Sequence, residues 1–295
     1  EIFRCDKPTG KMASPRFMWP ELGEVTATLP RNKRLEQLAG LVTHQENGRF
    51  ARTIVNRLWE RLMGRGIVHP VDIMANKPWS EELLDYLAVY LVDHHYDLKQ
   101  TIEHITSSRA YQSRSVSTAS EISGDDFVFT GPEVKRMTAE EFLDAIWMIT
   151  QTAPVKINAP IKRPGADPAT PPERQFVRAS LVQANLLMRS LGRPNREQVV
   201  TTRPNVLSTL QALDLANGQI LYDTLAQGAM NIMKASPQLK RFDLADSLYH
   251  KALCRRPTFD EYLTASEILG ENVTAESLED LLWSIFMLPE FQLIR

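Results

Sequence analysis

The hydrophobic residues of this chain recur at intervals of three and four positions, which is the spacing of one face of an α-helix. The clearest run covers residues 50–63, and Gly64 is placed to end that helix in the left-handed conformation. A second apolar stripe covers residues 83–91, where Ser80 can cap the helix. Alternating, strand-like stretches are rare. The pattern therefore predicts an all-α fold.

Three further signatures mark helix starts. Thr138 with Glu141, and Thr258 with Glu261, form capping boxes that are each followed by an apolar helical stripe. Thr274 opens a last helix, which ends before a proline. These signals and the stripes above predict about nine or ten helices. The remaining ones fit residues 98–108, 206–217, 219–234 and 243–254.

Two proline-rich stretches interrupt the helical pattern. Residues 1–30 contain four prolines and little periodicity, so we interpret them as an extended N-terminal arm. Residues 154–172 contain six prolines, which preclude a continuous helix. So long a loop can be a surface excursion of one domain or a linker between two. We take the first interpretation and predict a single multi-helix domain over residues 31–292 with a long Pro-rich loop.

Charge and composition exclude some classes of protein. The 295 residues carry 34 Lys and Arg against 36 Asp and Glu, and this balance argues against a nucleic-acid partner. No apolar run is long enough for a membrane span. Cys5 and Cys254 can form one disulfide or remain free thiols, and both alternatives stay open. Because the chain begins at Glu1 without a basic-then-apolar leader, we expect a fragment or a processed product.

The most unusual polar segment is residues 189–203, where a glycine and a proline favour a turn. This segment, the Arg-turn, carries Arg189, Arg193, Arg196 and Arg203 against a single acid, Glu197. Arginine presents a planar fork that suits carboxylate, phosphate or sulfate, so the Arg-turn could hold an anionic ligand. The alternative is that these guanidinium groups bind carbonyls and acids of neighbouring helices and fix a long loop.

A second polar cluster lies on the first strong helix and the loop after it, and consists of Arg52, Asn56, Arg57, Trp59 and Asp72. One interpretation is an ion pair of Arg57 with Asp72 that pins the loop. The other is a ligand site in which Trp59 supplies a stacking surface, as sugar sites often do. Because two polar clusters each need partners if they are buried, we predict that the Arg-turn docks against residues 56–72.

Motifs for a metal or a cofactor are missing from the sequence. His94 and His95 are adjacent and no His-x-x-x-His pair occurs, so we predict no metal site. Neither cysteine lies in a Cys-x-x-Cys-His haem-attachment motif. No phosphate-binding glycine loop and no Gly-x-Ser-x-Gly nucleophile occurs either. We therefore predict no cofactor for this chain.

Several blocks of the sequence occur together in a known bacterial family. They are FARTIVNRLW at 50–59, GRGIV at 64–68 with Asp72, EELLDYLA at 81–88, RMTAEEFLDA at 136–145, LGRPNREQVV at 191–200, TLQALDLANG at 209–218 and LCRRP at 253–257. In this order they resemble the PSD-type domain of unknown function, a planctomycete cytochrome-c-associated C-terminal domain. The resemblance covers roughly residues 31–292.

The resemblance implies a module of an exported protein, located in the periplasm or at the cell surface. It also implies a companion helical domain and, often, a c-type cytochrome domain upstream in the same full-length protein. Carbohydrate-binding modules sometimes accompany the family, which implies polysaccharide use, but the family offers no catalytic residues. Our candidate ligand-binding residues are Arg57, Asp72, Arg136, Arg193, Arg196, Arg203 and Asn217.

Two functions remain open at this point. We predict a non-catalytic binding or structural module with an anionic or glycan ligand. The alternative is a polysaccharide-acting, hydrolase-like enzyme that uses Asp72 or Asp144 as general acid or base beside Arg193 and Arg196. A concave pocket with two facing carboxylates would favour the enzyme. Arginines held in internal ion pairs would favour the module.

Overall fold

A computed structural model describes residues 3–4, 7–10, 16–117, 127–158, 176–195, 200, 203, 207–235 and 240–294. Of these residues, 57% lie in helices and 3% in strands, so the predicted all-α class is confirmed. The chain groups into two compact units, Glu1–Val134 and Lys135–Arg295, and the single domain over residues 31–292 stays a prediction. Their border lies outside residues 154–172, where the linker alternative would place it.

The first unit is helical after its N-terminal stretch. Strands β1 (Phe3–Arg4) and β2 (Lys7–Pro8) pair antiparallel, and a 3-10 turn covers Pro20–Leu22. The helices are α1 (Arg31–Val42), α2 (Gly48–Met63), α3 (Glu81–Asp93) and α4 (Leu98–Thr106). Two predicted end signals are confirmed. Gly64 follows α2 with a φ of 88°, and the Ser80 hydroxyl accepts a hydrogen bond from the Leu83 N–H at the start of α3.

The core of the first unit forms where α2 packs against α3. Each helix turns an apolar stripe toward the other, as the three-and-four spacing predicts. Val55 of α2 and Leu91 of α3 are fully buried in this contact, and Ile105 of α4 is almost fully buried. Burial of these stripes removes apolar surface from water and so stabilises the unit.

The second unit holds most of the helices. They are α5 (Ala139–Thr150), α6 (Leu186–Ser190), α7 (Thr209–Asn217), α8 (Gln219–Ala235), α9 (Arg241–Leu253), α10 (Phe259–Leu269), α11 (Ala275–Met287) and α12 (Pro289–Gln292), and a 3-10 turn covers Ala179–Leu181. Strands β3 (Lys135–Arg136) and β4 (Leu293–Ile294) pair antiparallel and join the two ends of the unit. The capping boxes at Thr138 and Thr258 are confirmed, and Thr274 caps α11.

The core of the second unit surrounds α8, which packs against α5 and α11. Leu225 and Ala229 of α8 meet Ile146 of α5 and Leu282 of α11 in this core, and all four are buried. Gly228 lets α8 approach α5 closely, because a Cβ at this position would stand 2.5 Å from Thr150 Cβ. Glycine is therefore required here by packing rather than by backbone conformation.

Replacing Gly228 with alanine is expected to lower the free energy of unfolding by about 2 kcal/mol, although alanine is the better helix former. The added methyl would also meet Thr150 Cγ2 at 2.6 Å. The matched control is Gly40→Ala in α1, where nothing lies within 4 Å of the new Cβ and stability should rise by up to about 1 kcal/mol. Urea unfolding followed by circular dichroism measures both, and a Gly228→Ala protein as stable as wild type would contradict the prediction.

Candidate functional site

The polar cluster on α2 is engaged within the first unit. Arg57 Nη2 donates to Asp72 Oδ1 at 2.5 Å, so the predicted ion pair is confirmed. Asn56 is fully buried and binds the backbone of Val68 twice: its Oδ1 accepts from the Val68 N–H at 2.9 Å, and its Nδ2 donates to the Val68 carbonyl at 3.0 Å. These contacts fix the loop after α2 against the helix.

Trp59 is a core residue. Its side chain is 4% exposed, and its ring packs against Trp79 and Phe129 with centroid separations of 6.3 and 5.8 Å. The interpretation of Trp59 as a stacking surface for a ligand is therefore wrong, because the indole face is covered by the protein itself. Helical spacing places a residue on the inner face but does not tell an exposed ring from a buried one.

Two arginines of the Arg-turn meet one carboxylate at the start of α5. Arg203 donates from Nη1 to Glu140 Oε2 at 2.6 Å and from Nη2 to Oε1 at 3.1 Å. Arg193 Nε lies 3.4 Å from Glu140 Oε1, and its Nη1 donates to the Ala179 carbonyl at 2.9 Å. These are the carbonyl and helix-acid contacts of the loop-fixing alternative. Arg196 lies outside the described residues.

The two guanidinium groups change the titration of Glu140. Burial by itself would raise its pKa. The hydrogen bond from Arg203, a backbone hydrogen bond, and the positive charges of Arg203 and Arg193 act in the other direction and hold the pKa below its usual value. Glu140 is therefore a structural anion that already fills the place where an external anion would bind these arginines.

The remaining arginine and carboxylate candidates in this unit are also engaged. Arg136 donates from Nη2 to Gln292 Oε1 at 3.1 Å, and burial lowers its pKa. Asp144 accepts from Arg178 Nε at 2.5 Å and from the Ala179 N–H at 2.6 Å. The predicted docking of the Arg-turn on residues 56–72 joins residues of different units and stays a prediction.

Sequence reasoning missed an ion-pair cluster around Arg255. Its guanidinium donates to Glu261 at 2.8 Å and to Glu290 at 2.7 Å, which ties the end of α9 to α10 and α12. The hydrogen bond from Arg255 lowers the pKa of Glu261 to about 2, and both carboxylates raise the pKa of Arg255. The LCRRP block was the available signal, but it does not show which acids Arg255 meets.

An open groove lies between the end of α7, the start of α8 and the middle of α11, with a volume of about 530 Å³. We name it the Tyr–Trp groove; its polar and aromatic lining consists of Asn217, Gln219, Tyr222, Glu279, Asp280 and Trp283. Of the seven candidate residues, Asn217 lies here. The other lining residues were not singled out in the sequence, because α8 and α11 each show only a helical stripe.

The two rings of the Tyr–Trp groove are exposed and one of them is held in place. Tyr222 is 58% exposed and Trp283 is 39% exposed. The Trp283 indole N–H donates to the Leu215 carbonyl at 3.0 Å, which fixes the ring while leaving part of its face open. Burial, followed by the negative charges of Asp280 and Glu276, raises the pKa of Glu279. The groove therefore combines aromatic faces with carboxylates and an amide.

A larger cavity of about 810 Å³ lies between α2 and α3. Its floor is apolar, formed in part by Ala51, Leu84 and Ala88. At its rim Arg52 and Asp85 form an ion pair. Among its described lining residues there is no aromatic side chain. The described lining of this cleft therefore offers no ring on which the flat apolar face of a sugar could stack.

The described part of the chain contains no cluster of metal-ligand side chains and no membrane-spanning helix. There, no three His, Cys, Asp or Glu side chains come together in a way that could hold a metal ion. None of the described helices is both long and apolar enough to cross a membrane. Cys254 is exposed and free, whereas Cys5 lies outside the described residues.

Comparisons with known proteins identify a family but no individual similar protein or structure. The comparison with curated proteins found no match, and the comparison with solved structures found none either. A family model matches residues 33–269, which is more than half of the chain. The chain therefore belongs to PSD1, the family described as a protein of unknown function (DUF1553).

Proposed function

We propose that this chain is a non-catalytic glycan-binding module and that the Tyr–Trp groove is its binding surface. The observation that carries the proposal is the presence of two exposed rings, Tyr222 and Trp283, beside an amide and two carboxylates in one concave site. Sugar rings present a flat apolar C–H face and a rim of hydroxyl groups. Aromatic faces can cover the first, and carboxylate or amide oxygens can accept from the second.

The ion pairs of the candidate arginines support a glycan as the ligand in preference to an anion. Arg57, Arg193 and Arg203 are each paired with an acid of the chain itself. A bound sulfate or phosphate would have to displace those carboxylates from their ion pairs, of which Arg57–Asp72 and Arg203–Glu140 are charge-assisted hydrogen bonds. In contrast, the Asn217 amide makes no hydrogen bond to the described part of the chain and lies open in the groove.

The carboxylate arrangement supports a binding module over a hydrolase. Asp72 and Asp144, the general acid or base candidates, are both held by arginine. Glu279 and Asp280 line the groove but are consecutive on α11, so they point about 100° apart around one helix. Glycoside hydrolysis uses two carboxylates that flank the scissile bond across a gap of about 5–10 Å.

The proposal includes the setting that the family resemblance implies. We place the module in an exported protein, in the periplasm or at the cell surface, next to a companion helical domain and a c-type cytochrome domain of the same full-length protein. Polysaccharide use is the shared context of such an assembly. The groove would then hold a glycan chain while other domains carry any chemistry.

A glycan array of neutral, aminated and sulfated oligosaccharides tests the proposal with the 295-residue chain. We expect binding to neutral or aminated oligosaccharides and a loss of about tenfold or more in affinity for Tyr222→Ala, because stacking on an aromatic ring is lost. The matched control is Phe259→Ala, which removes an exposed ring of the same unit outside the groove and should bind like wild type.

Three outcomes would overturn the proposal. The first is that no oligosaccharide binds, and the second is that Tyr222→Ala binds as tightly as wild type. The third is hydrolysis: the array sugars are incubated with the protein and analysed by mass spectrometry, and cleavage products that depend on the protein would show that the module is catalytic.

A further inference from the structure

We infer that the Tyr–Trp groove takes a protonated amino sugar in preference to a neutral or an acidic one. The inference rests on the proposed glycan-binding function and names the class of sugar that the groove selects. Its basis is the charge of the groove. Glu279 and Asp280 are acidic, and no lysine, arginine or histidine is present among the described residues that line it.

Among the residues that the structure describes, no counter-charge is paired with the two carboxylates. Acids elsewhere pair with five arginines: Arg57, Arg178, Arg193, Arg203 and Arg255. In the described part of the chain, no basic side chain forms an ion pair with Glu279 or Asp280. The side-chain amide of Gln219 donates to Asp223 at 2.8 Å, an acid that is not part of the groove lining. Where Arg193 meets Glu140, by comparison, the protein supplies the cation itself.

The surroundings of Glu279 agree with a site that lacks a cation. Its pKa is raised, first by burial and then by the like charges of Asp280 and Glu276. A cation in the groove would offset both effects because it would stabilise the ionised carboxylate. A sulfated or uronic sugar would instead bring a further negative charge to the same place, which is unfavourable at contact distance.

The aromatic faces favour the same class of ligand. An ammonium group over the face of a tryptophan or tyrosine ring is attracted by the ring quadrupole, whose faces are negative. Tyr222 and Trp283 both expose ring surface to the groove that Glu279 and Asp280 line. An amino sugar can therefore place its apolar ring face on one aromatic side chain and its ammonium group near a carboxylate, whereas N-acetylation removes the charge and leaves the ring.

Isothermal titration calorimetry with three oligosaccharides tests the inference: a glucosamine hexasaccharide, its fully N-acetylated form and an oligogalacturonate. At about pH 5.5, where most carboxylates are ionised, we expect the amino form to bind about tenfold tighter than the acetylated form. The oligogalacturonate should bind more weakly than either. Raising NaCl from about 20 to about 300 mM should weaken binding of the amino form several-fold and of the acetylated form little.

The double variant Glu279→Gln/Asp280→Asn identifies the cause of the preference. It should reduce the tenfold advantage of the amino form to about two- to threefold. The matched control, Glu267→Gln, removes an exposed acid of α10 outside the groove and should keep the full advantage. Both variants exchange a charge for an amide of the same shape, so the fold should be retained.

The outcomes separate this inference from the proposed function. Equal binding of the amino and acetylated forms, or an advantage that survives in the double variant, would overturn the inference and leave glycan binding intact. Tighter binding of a tetralysine peptide than of the amino sugar would overturn it as well, because the groove would then be a site for basic peptides. Binding of no oligosaccharide would overturn both.

Discussion

Replacing Asn56 with alanine is expected to lower the free energy of unfolding of the first unit by about 3 kcal/mol. The Asn56 side chain is fully buried and makes two hydrogen bonds to Val68, at 2.9 and 3.0 Å. Alanine would leave the N–H and the carbonyl of a buried residue without these partners. Each unsatisfied group costs about 1–3 kcal/mol, and the missing amide adds a small cavity.

Urea unfolding, followed by far-UV circular dichroism, measures this loss, and a separate transition for each unit is allowed in the fit. Asn76→Ala is the matched control, because Asn76 lies in the same unit but makes an exposed hydrogen bond to the His69 carbonyl. It should cost less than about 1 kcal/mol. Asn56→Asp keeps the acceptor but turns an oxygen toward the Val68 carbonyl, so it should also destabilise. An Asn56→Ala protein within about 0.5 kcal/mol of wild type would refute the role of this residue.

The contact of Asn56 with Val68 is an example of a feature that the sequence of this chain does not predict. Gly64, Ser80 and Thr138 could be predicted as helix ends because a cap involves atoms within four residues of each other. Asn56 was recognised as polar on a helix, but its partner is twelve residues away in a loop. A Cβ on Gly66 would stand 2.4 Å from the Val68 carbonyl, and that close approach cannot be seen in the GRGIV block itself.

Which acid pairs with which arginine was the feature of the fold that was hardest to predict from the sequence. Arg203 meets Glu140 across 63 residues of sequence, and Arg255 meets Glu290 across 35. With 36 acids available, the choice of partner is set by how the helices pack and not by local spacing. The strands β3 and β4 could not be predicted for a different reason: each has two residues, which are too few to show an alternating pattern.

The Tyr–Trp groove could not be predicted from the sequence either. Tyr222 and Trp283 lie on helices with buried apolar stripes, but neither ring is among the buried residues of α8 or α11. Both are half-exposed because α7 ends at Asn217 and leaves the space beside α8 and α11 open. Only the position of a helix end in three dimensions distinguishes such a ring from one like Trp59, which is covered on all sides.

Removing the carboxylate of Glu140 is expected to lower the free energy of unfolding by about 3 kcal/mol and to leave Arg193 and Arg203 available to an external anion. In Glu140→Ala, Arg203 loses two hydrogen bonds, and Arg193, whose side chain is 14% exposed, loses its counter-charge. Sulfate should then raise the melting temperature of the variant more than that of wild type, at an ionic strength matched with NaCl. Glu267→Ala, an exposed acid of α10, should respond to sulfate like wild type.

The stability difference between wild type and Glu140→Ala is expected to depend on pH. The pKa of Glu140 in the folded protein lies below its usual value, so its contribution to stability is present above the unfolded-state pKa of about 4.3 and is lost as the pH falls through the folded-state pKa. The difference in melting temperature between wild type and Glu140→Ala should therefore be largest near neutral pH and shrink in acid. If wild type gained as much from sulfate as the variant, the Arg-turn would already offer an open anion site, and the ligand of this module would have to be sought among anions instead of amino sugars.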